Sequence, residues 1–425
     1  ENTAKETVVM PIEFDDIDTP FNQLTFGIVG GNSSGAFKVV YDNVTGVASL
    51  VVANADALNF EQTSSISVEV RIFDASSVAP TQQFATRTFT VNLNDLTESL
   101  VIDPANWTNS GLIVKKVGSK VHVLNATTLQ AAVPAHELSM ISDIRVYVRQ
   151  NAADVLTVDY TGGDPVPAGG LDFNGQNGVG DVIKLANANL LSTTDLTLTG
   201  PTAGTITDSG INTLTLTDIE GIAFDTSATS GTINVLFSDA SNSVSISDDA
   251  VTNNGLSVMT STSAPSVTFP VAAAIVIDLA DGNDSLTINS IDTQSSTPIS
   301  VSGGEGNDTL KAAPALTKPV LFSGGLGNDV LVGGAAGDQL FGDEGNDSIS
   351  GGSGDDNLDG GADDGVGATD INLLYETANV SFELTDTSLV GVGTDMLANL
   401  QIAKLTGGTG NNIFTVSDWT GGGTL

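Results

Sequence analysis

A glycine-rich nonapeptide recurs between Ser302 and Gly361 and limits what this chain can become more than any other stretch. One copy reads Gly303-Gly304-Glu305-Gly306-Asn307-Asp308-Thr309-Leu310. Four more follow: Gly324 to Leu331, Gly333 to Leu340, Gly342 to Ile349 and Gly351 to Leu358. From Asp329 the sixth-position aspartates continue as Asp338, Asp347 and Asp356, a strict nine-residue step. Glycine loses the most backbone freedom on ordering, so the first six residues favour neither helix nor paired strand. They suit a turn with positive φ angles, whose carbonyls and single carboxylate point inward at a cation. The last three residues suit a short strand with one buried aliphatic. Stacked coils would place Asp329 above Asp347 and Asp338 above Asp356, with each ion between two turns. Hard oxygen donors in a flexible geometry select Ca²⁺ over Zn²⁺ or Mg²⁺. A disordered Gly/Asp linker would not keep an aliphatic at every eighth position.

The form G-G-x-G-x-D-x-U resembles the calcium-binding nonapeptide of the repeats-in-toxin family, also called hemolysin-type repeats. The resemblance implies a C-terminal parallel β-roll over residues 271–425 with Ca²⁺ as its cofactor. Asp329, Asp338, Asp347 and Asp356 are the leading metal candidates. Asp284, in an imperfect first copy, and Asp308 stand apart as outliers, separated from the block by insertions such as Lys311 to Pro319. The register decays after Asp356, and in the late copy Gly407 to Phe414, Asn412 replaces the aspartate.

Charge leads to the same ion independently. The net charge is −38, and from Leu185 onward the only basic residues are Lys311, Lys318 and Lys404. Nucleic acid is excluded as a partner, because phosphate binding needs clustered Lys and Arg. Carboxylates at this density repel one another unless cations neutralise them. Cysteine is absent, so disulfides do not staple the fold. The longest apolar run, Val271 to Ile277, is far too short to span a bilayer. The ends at Glu1 and Leu425 look like those of a processed product or fragment.

The rest of the chain also reads as all-β. Residues 1–98 alternate with period two, as in Thr25–Val29, Ala36–Val40, Ala48–Val52, Ser65–Val70 and Thr88–Val91. Their polar residues resemble the cadherin repeat: Glu1-Asn2, Asp16-Ile17-Asp18, Leu58-Asn59-Phe60-Glu61 and Asn92-Leu93-Asn94-Asp95. That resemblance implies a β-sandwich with a calcium pole made by Glu1, Glu61 and Asp95, and with Asp16 and Asp18 facing a preceding domain. Asn59 and Asn92 stand where the family has aspartate, which implies weaker ion binding or a site that is not filled. Residues 99–270 form a strand-rich region, either a solenoid or a second sandwich. Asp164 to Gly170, with two prolines, reads as a break, and Asn174 to Asp181 reads as one degenerate calcium turn.

Two strings look catalytic and fail on chemistry. His136-Glu137-Leu138-Ser139-Met140 begins like a zinc-protease helix but carries Met140 where the second histidine is required. Gly31-Asn32-Ser33-Ser34-Gly35 matches a nucleophile elbow by spacing, but it joins two antiparallel strands and has no base at hand. The expectation is a chain that is not an enzyme. It reads as an extracellular, calcium-stiffened structural segment of a bacterial adhesin, surface layer or filament that self-associates. The alternative is the secretion or spacer region of a larger secreted enzyme or toxin.

Overall fold

A computed structural model of the chain describes all residues except 1–2, 15–19, 21–22, 59–62, 75–83, 95, 107–110, 151, 177, 188–192, 209–210, 226–230, 250, 252–253, 271–273, 293–298, 362–369 and 425. The described residues are all-β, with only single-turn 3₁₀ segments between strands. They divide into two units, Glu1–Thr97 and Glu98–Leu425.

In the first unit, period-two patterning produces two three-stranded antiparallel sheets. One sheet orders Val8–Ile12, Val47–Val52 and Phe37–Asp42. The other orders Leu24–Gly30, Ser65–Asp74 and Phe84–Asn92. Leu50, Val52 and Phe37 from the first sheet meet Val68 and Val70 from the second in one buried cluster. Two sheets closed on a shared apolar layer make a β-sandwich.

The second unit is a solenoid. Each coil contributes one strand to each of two long sheets, and the described residues give each sheet 16 strands. Pairing between coils is parallel, because successive coils run in the same sense. Short antiparallel hairpins interrupt it, for example Thr193–Gly200 against Ala203–Asp208 and Ser243–Asp248 against Leu256–Ser261. The same two sheets run through residues 99–270 and 271–425, so the middle of the chain is a solenoid rather than a second sandwich. Asp164 to Gly170 does not end a domain. Val166 between the two prolines is buried in the common core, and Asp164 accepts the Val166 and Asn212 backbone N–H groups.

Register decides the core. In one sheet Leu286, Leu310, Leu331, Ile349 and Leu374 stand directly opposite one another, coil after coil. In the other sheet Ile277, Val301, Phe322, Leu340, Leu358 and Leu397 do the same. Each is 6 % exposed or less, and together they form an unbroken apolar ladder. The ladder fixes the coils vertically, since a slip of one residue would turn each aliphatic to the solvent. The corner turns are left facing one another along the edge.

Candidate metal centre

The parallel register places the aspartates. Ser285, Thr309, Val330, Ser348 and Leu373 are paired neighbours, so the residues just before them stack in one column: Asp284, Asp308, Asp329, Asp347 and Asn372. Down this column each backbone N–H donates to the side-chain Oδ1 of the next coil. Asn242 donates to Asp284 (2.5 Å), Asp284 to Asp308 (2.7 Å), Asp308 to Asp329 (2.7 Å), Asp329 to Asp347 (2.8 Å) and Asp347 to Asn372 (2.8 Å). A second column serves the other sheet. There Val320 donates to Asp338 (2.9 Å), Asp338 to Asp356 (2.7 Å) and Asp356 to Asp395 (3.1 Å).

Asp329 thus stacks on Asp347 and Asp338 on Asp356, as the nine-residue step predicts. Asp284 and Asp308 do not stand apart. Coil lengths of 24, 21 and 18 residues separate successive members, yet all stay in register. The insertion after Lys311 folds back and buries Leu316 in the core, so the extra length leaves the column undisturbed.

Each column aspartate is at most 2 % exposed. In Asp284, Asp308, Asp329, Asp347 and Asp356 the second oxygen, Oδ2, is buried and has no hydrogen-bond partner among the described residues. Asp338 differs, because its Oδ2 accepts the Gly334 N–H at 2.6 Å. An unpartnered buried charge is costly, and native folds leave few such groups. The glycines shape the space around these oxygens. A Cβ added at Gly303, Gly324, Gly342 or Gly351 would lie 2.2–2.3 Å from the Oδ2 of Asp308, Asp329, Asp347 or Asp356. The carbonyls of Gly324 and Gly342 line the cradles of the coils before them. Gly327, at φ 128°, passes so close to the preceding coil that a Cβ would fall 1.7 Å from the Gly306 carbonyl. Among the described residues no three His, Cys, Asp or Glu side chains converge on a point. The donors are one orphan carboxylate oxygen with backbone carbonyls, a hard, charge-poor set that fits Ca²⁺.

Burial raises these carboxyls, and like charge in adjacent coils adds to it. Asp329 and Asp356 are pushed up to about 7 and Asp284 and Asp347 to about 6, while Asp308 and Asp338 rise through burial. Without a cation, the fold favours protons on the column. An acidic trough of about 490 Å³ runs beside it, lined by Asp278, Asp281, Glu305, Asp343 and Glu344 and, among the described residues, by no basic side chain. Its field would concentrate cations at the turns.

Sequence patterning passes over three members of the columns. Asp395 closes the second column, and Gly391-Val392-Gly393-Thr394-Asp395 keeps part of the motif that could have revealed it. Asn242 and Asn372 bound the first column and are aspartate isosteres. Asn372 Nδ2 donates to the Gly360 (2.8 Å) and Asn399 (3.2 Å) carbonyls. Asn242 Nδ2 donates to Ala240 (2.6 Å), Leu279 (3.1 Å) and Ser238 (3.3 Å). In these two coils an amide NH₂ satisfies the turn carbonyls, so the column ends in self-sufficient caps. Asn412 lies in a looser turn, its Nδ2 3.3 Å from Asn379 Oδ1.

The other candidates fall elsewhere. Glu1, Asp16, Asp18, Glu61 and Asp95 lie outside the described residues. His136 and Glu137 form a two-residue strand, and Glu137 pairs with Lys120 at 3.3 Å. Ser33 sits in the turn between strands Leu24–Gly30 and Phe37–Asp42. None of the described helices is long and apolar enough to cross a membrane.

One family model matches the repeats that build these columns. The family model for the RTX calcium-binding nonapeptide repeat (4 copies) matches residues 300–313, 321–349 and 332–366. This part of the chain therefore carries calcium-binding RTX repeats. No curated protein matches the chain. Among solved structures, the crystal structure of the human desmocollin-1 ectodomain aligns at 19 % identity and a TM-score of 0.21. The alignment covers 30 % of this chain and 25 % of that one, so the chain spans about a quarter of the ectodomain.

Proposed function

We propose that this chain is an extracellular structural segment whose solenoid is stiffened by calcium, used in a bacterial adhesin, surface layer or filament. The observation that carries the reading is the column of buried aspartates with orphan Oδ2 atoms, built into a continuous two-sheet stack. Asp284, Asp308, Asp329, Asp347 and Asp356 would hold the ions, together with turn carbonyls such as those of Gly324 and Gly342. Bound Ca²⁺ supplies the positive charge that the buried oxygens lack.

The chain's own residues do the rest. The aliphatic ladders hold the coils at fixed spacing, the glycines open the cradles, and the N–H to Oδ1 bonds orient each carboxylate. At low calcium the repelling carboxylates keep the roll open, which suits export through a narrow passage. At millimolar calcium the sites fill. For a dissociation constant of about 10⁻⁴ M, each further tenfold excess of ion adds roughly 1.4 kcal/mol per site. A stack that folds only where calcium is abundant makes a rod outside the cell. Catalysis has no part in this reading.

The test joins a stability measurement to an assembly measurement on the full chain. Calcium should raise the melting temperature and the β-sheet circular dichroism, and chelator should reverse both. Electron microscopy in millimolar calcium should show fibres or lattices. Monomers at every concentration would instead favour a spacer or secretion region, and indifference to chelator would overturn the calcium mechanism itself.

A further inference from the structure

The repeats matched as calcium-binding begin at residue 300, but the edge they occupy begins much earlier in the same sheet. Strands Val155–Asp159, Val182–Ala186 and Gly221–Phe224 pair in parallel, with Val155, Val182 and Gly221 in register. The residues just before them, Asp154, Asp181 and Glu220, therefore stack as Asp308 and Asp329 do. The hydrogen bonds repeat as well. The Asp154 N–H donates to Asp181 Oδ1 at 2.8 Å, and the Asp181 N–H donates to Glu220 Oε2 at 2.7 Å.

The first two members of this short column differ in how their charge is met. Asp154, fully buried, is clamped by Arg149: Nη2 donates to Oδ1, while Nε (3.3 Å) and the backbone N–H (3.0 Å) donate to Oδ2. A guanidinium belonging to the chain thus balances the buried carboxylate at that coil. Asp181 is also fully buried, but among the described residues its Oδ2 has no partner. That oxygen sits in a cradle left by missing side chains. A Cβ at Gly178 would lie 2.1 Å from it and one at Gly175 2.9 Å from it, with the Asp218 and Gly175 carbonyls in the same space. Burial, with Glu220 and Asp154 nearby, raises the Asp181 carboxyl to about 6.

We propose that Asp181 is the carboxylate ligand of a further calcium site, with the Gly175 and Asp218 carbonyls beside its Oδ2 as other donors. Arg149 makes the coil before it independent of metal, so the site would stand alone, more than a hundred residues ahead of the nonapeptides. The inference goes beyond the proposed function, because it requires an ion in a degenerate turn outside the residues matched as nonapeptide repeats.

Hydrogen–deuterium exchange of the wild-type full chain, with calcium or with chelator, reads the site locally. Calcium should slow exchange of the amides around residues 178–186 by about tenfold or more, separately from residues 320–360. Equilibrium dialysis with radioactive calcium should show one fewer ion bound by Asp181→Asn than by wild type. Calcium protection at 320–360 with none at 178–186 would overturn this site and leave the nonapeptide reading intact. So would equal stoichiometry in a folded Asp181→Asn. If the variant fails to fold, the wild-type exchange pattern still decides the matter.

Discussion

In chelator, acid should do part of calcium's work. Asp329 and Asp356 rise from an ordinary value of 3.8 to about 7 because folding buries them beside like charges. A shift of about three units at roughly 1.4 kcal/mol each is ~4 kcal/mol per group. The sign follows from linkage: the fold holds the protonated form more tightly than the unfolded chain does. The stability due to these groups is therefore fully present below about pH 4 and is lost as pH rises towards 7. Neighbouring members titrate as a coupled set, so the total is less than the sum over the column. Even one such increment is a large share of a typical stability of about 5–15 kcal/mol. The assay is thermal melting by far-ultraviolet circular dichroism from about pH 5 to about pH 8. In chelator the melting temperature of the solenoid should fall with rising pH, by on the order of 10 °C. In saturating calcium the trend should reverse, since protons then compete with the ion. A chelated melting temperature that is flat or climbs with pH would refute the electrostatic account of the column.

Other changes test the same construction. Asn372→Asp removes the amide that bonds the Gly360 and Asn399 carbonyls. In chelator it should cost about 2–4 kcal/mol, and calcium should recover that loss while dialysis shows one more ion bound. Gly327→Ala drives a methyl into the Gly306 carbonyl at a φ of 128°, and denaturant melts should show a loss of about 3 kcal/mol or more with or without calcium. Leu331→Ala opens a cavity in the fully buried ladder and should cost about 2–5 kcal/mol in the same melts, leaving calcium stoichiometry unchanged in the folded protein.

How much of this was legible beforehand differs from element to element. The nine-residue step of Asp329, Asp338, Asp347 and Asp356 prescribes two columns, because one coil is two repeats long and alternate aspartates must fall on opposite edges. Asp329 over Asp347 and Asp338 over Asp356 could thus be read from spacing alone. The alternation of Thr or Ser with Leu, Val or Ile shows one buried face per strand, but it is the same in a sandwich and in a solenoid. Only the parallel pairing of residues 99–270 with the roll decides between them.

The sequence by itself determined the chemistry: glycine cradles, one carboxylate per turn, a net charge of −38 that calls for cations, and an aliphatic to anchor each coil. The tertiary structure decided membership. Asp284 and Asp308 lie beyond insertions, Asp395 follows a broken motif, and Asn242 and Asn372 carry no motif at all, yet the ladder of buried aliphatics brings all five into the columns. The reason is physical. Spacing along the chain is a local property that insertions destroy, whereas position along a solenoid edge is set by the packing of each coil on the last, which insertions at the corners leave unchanged.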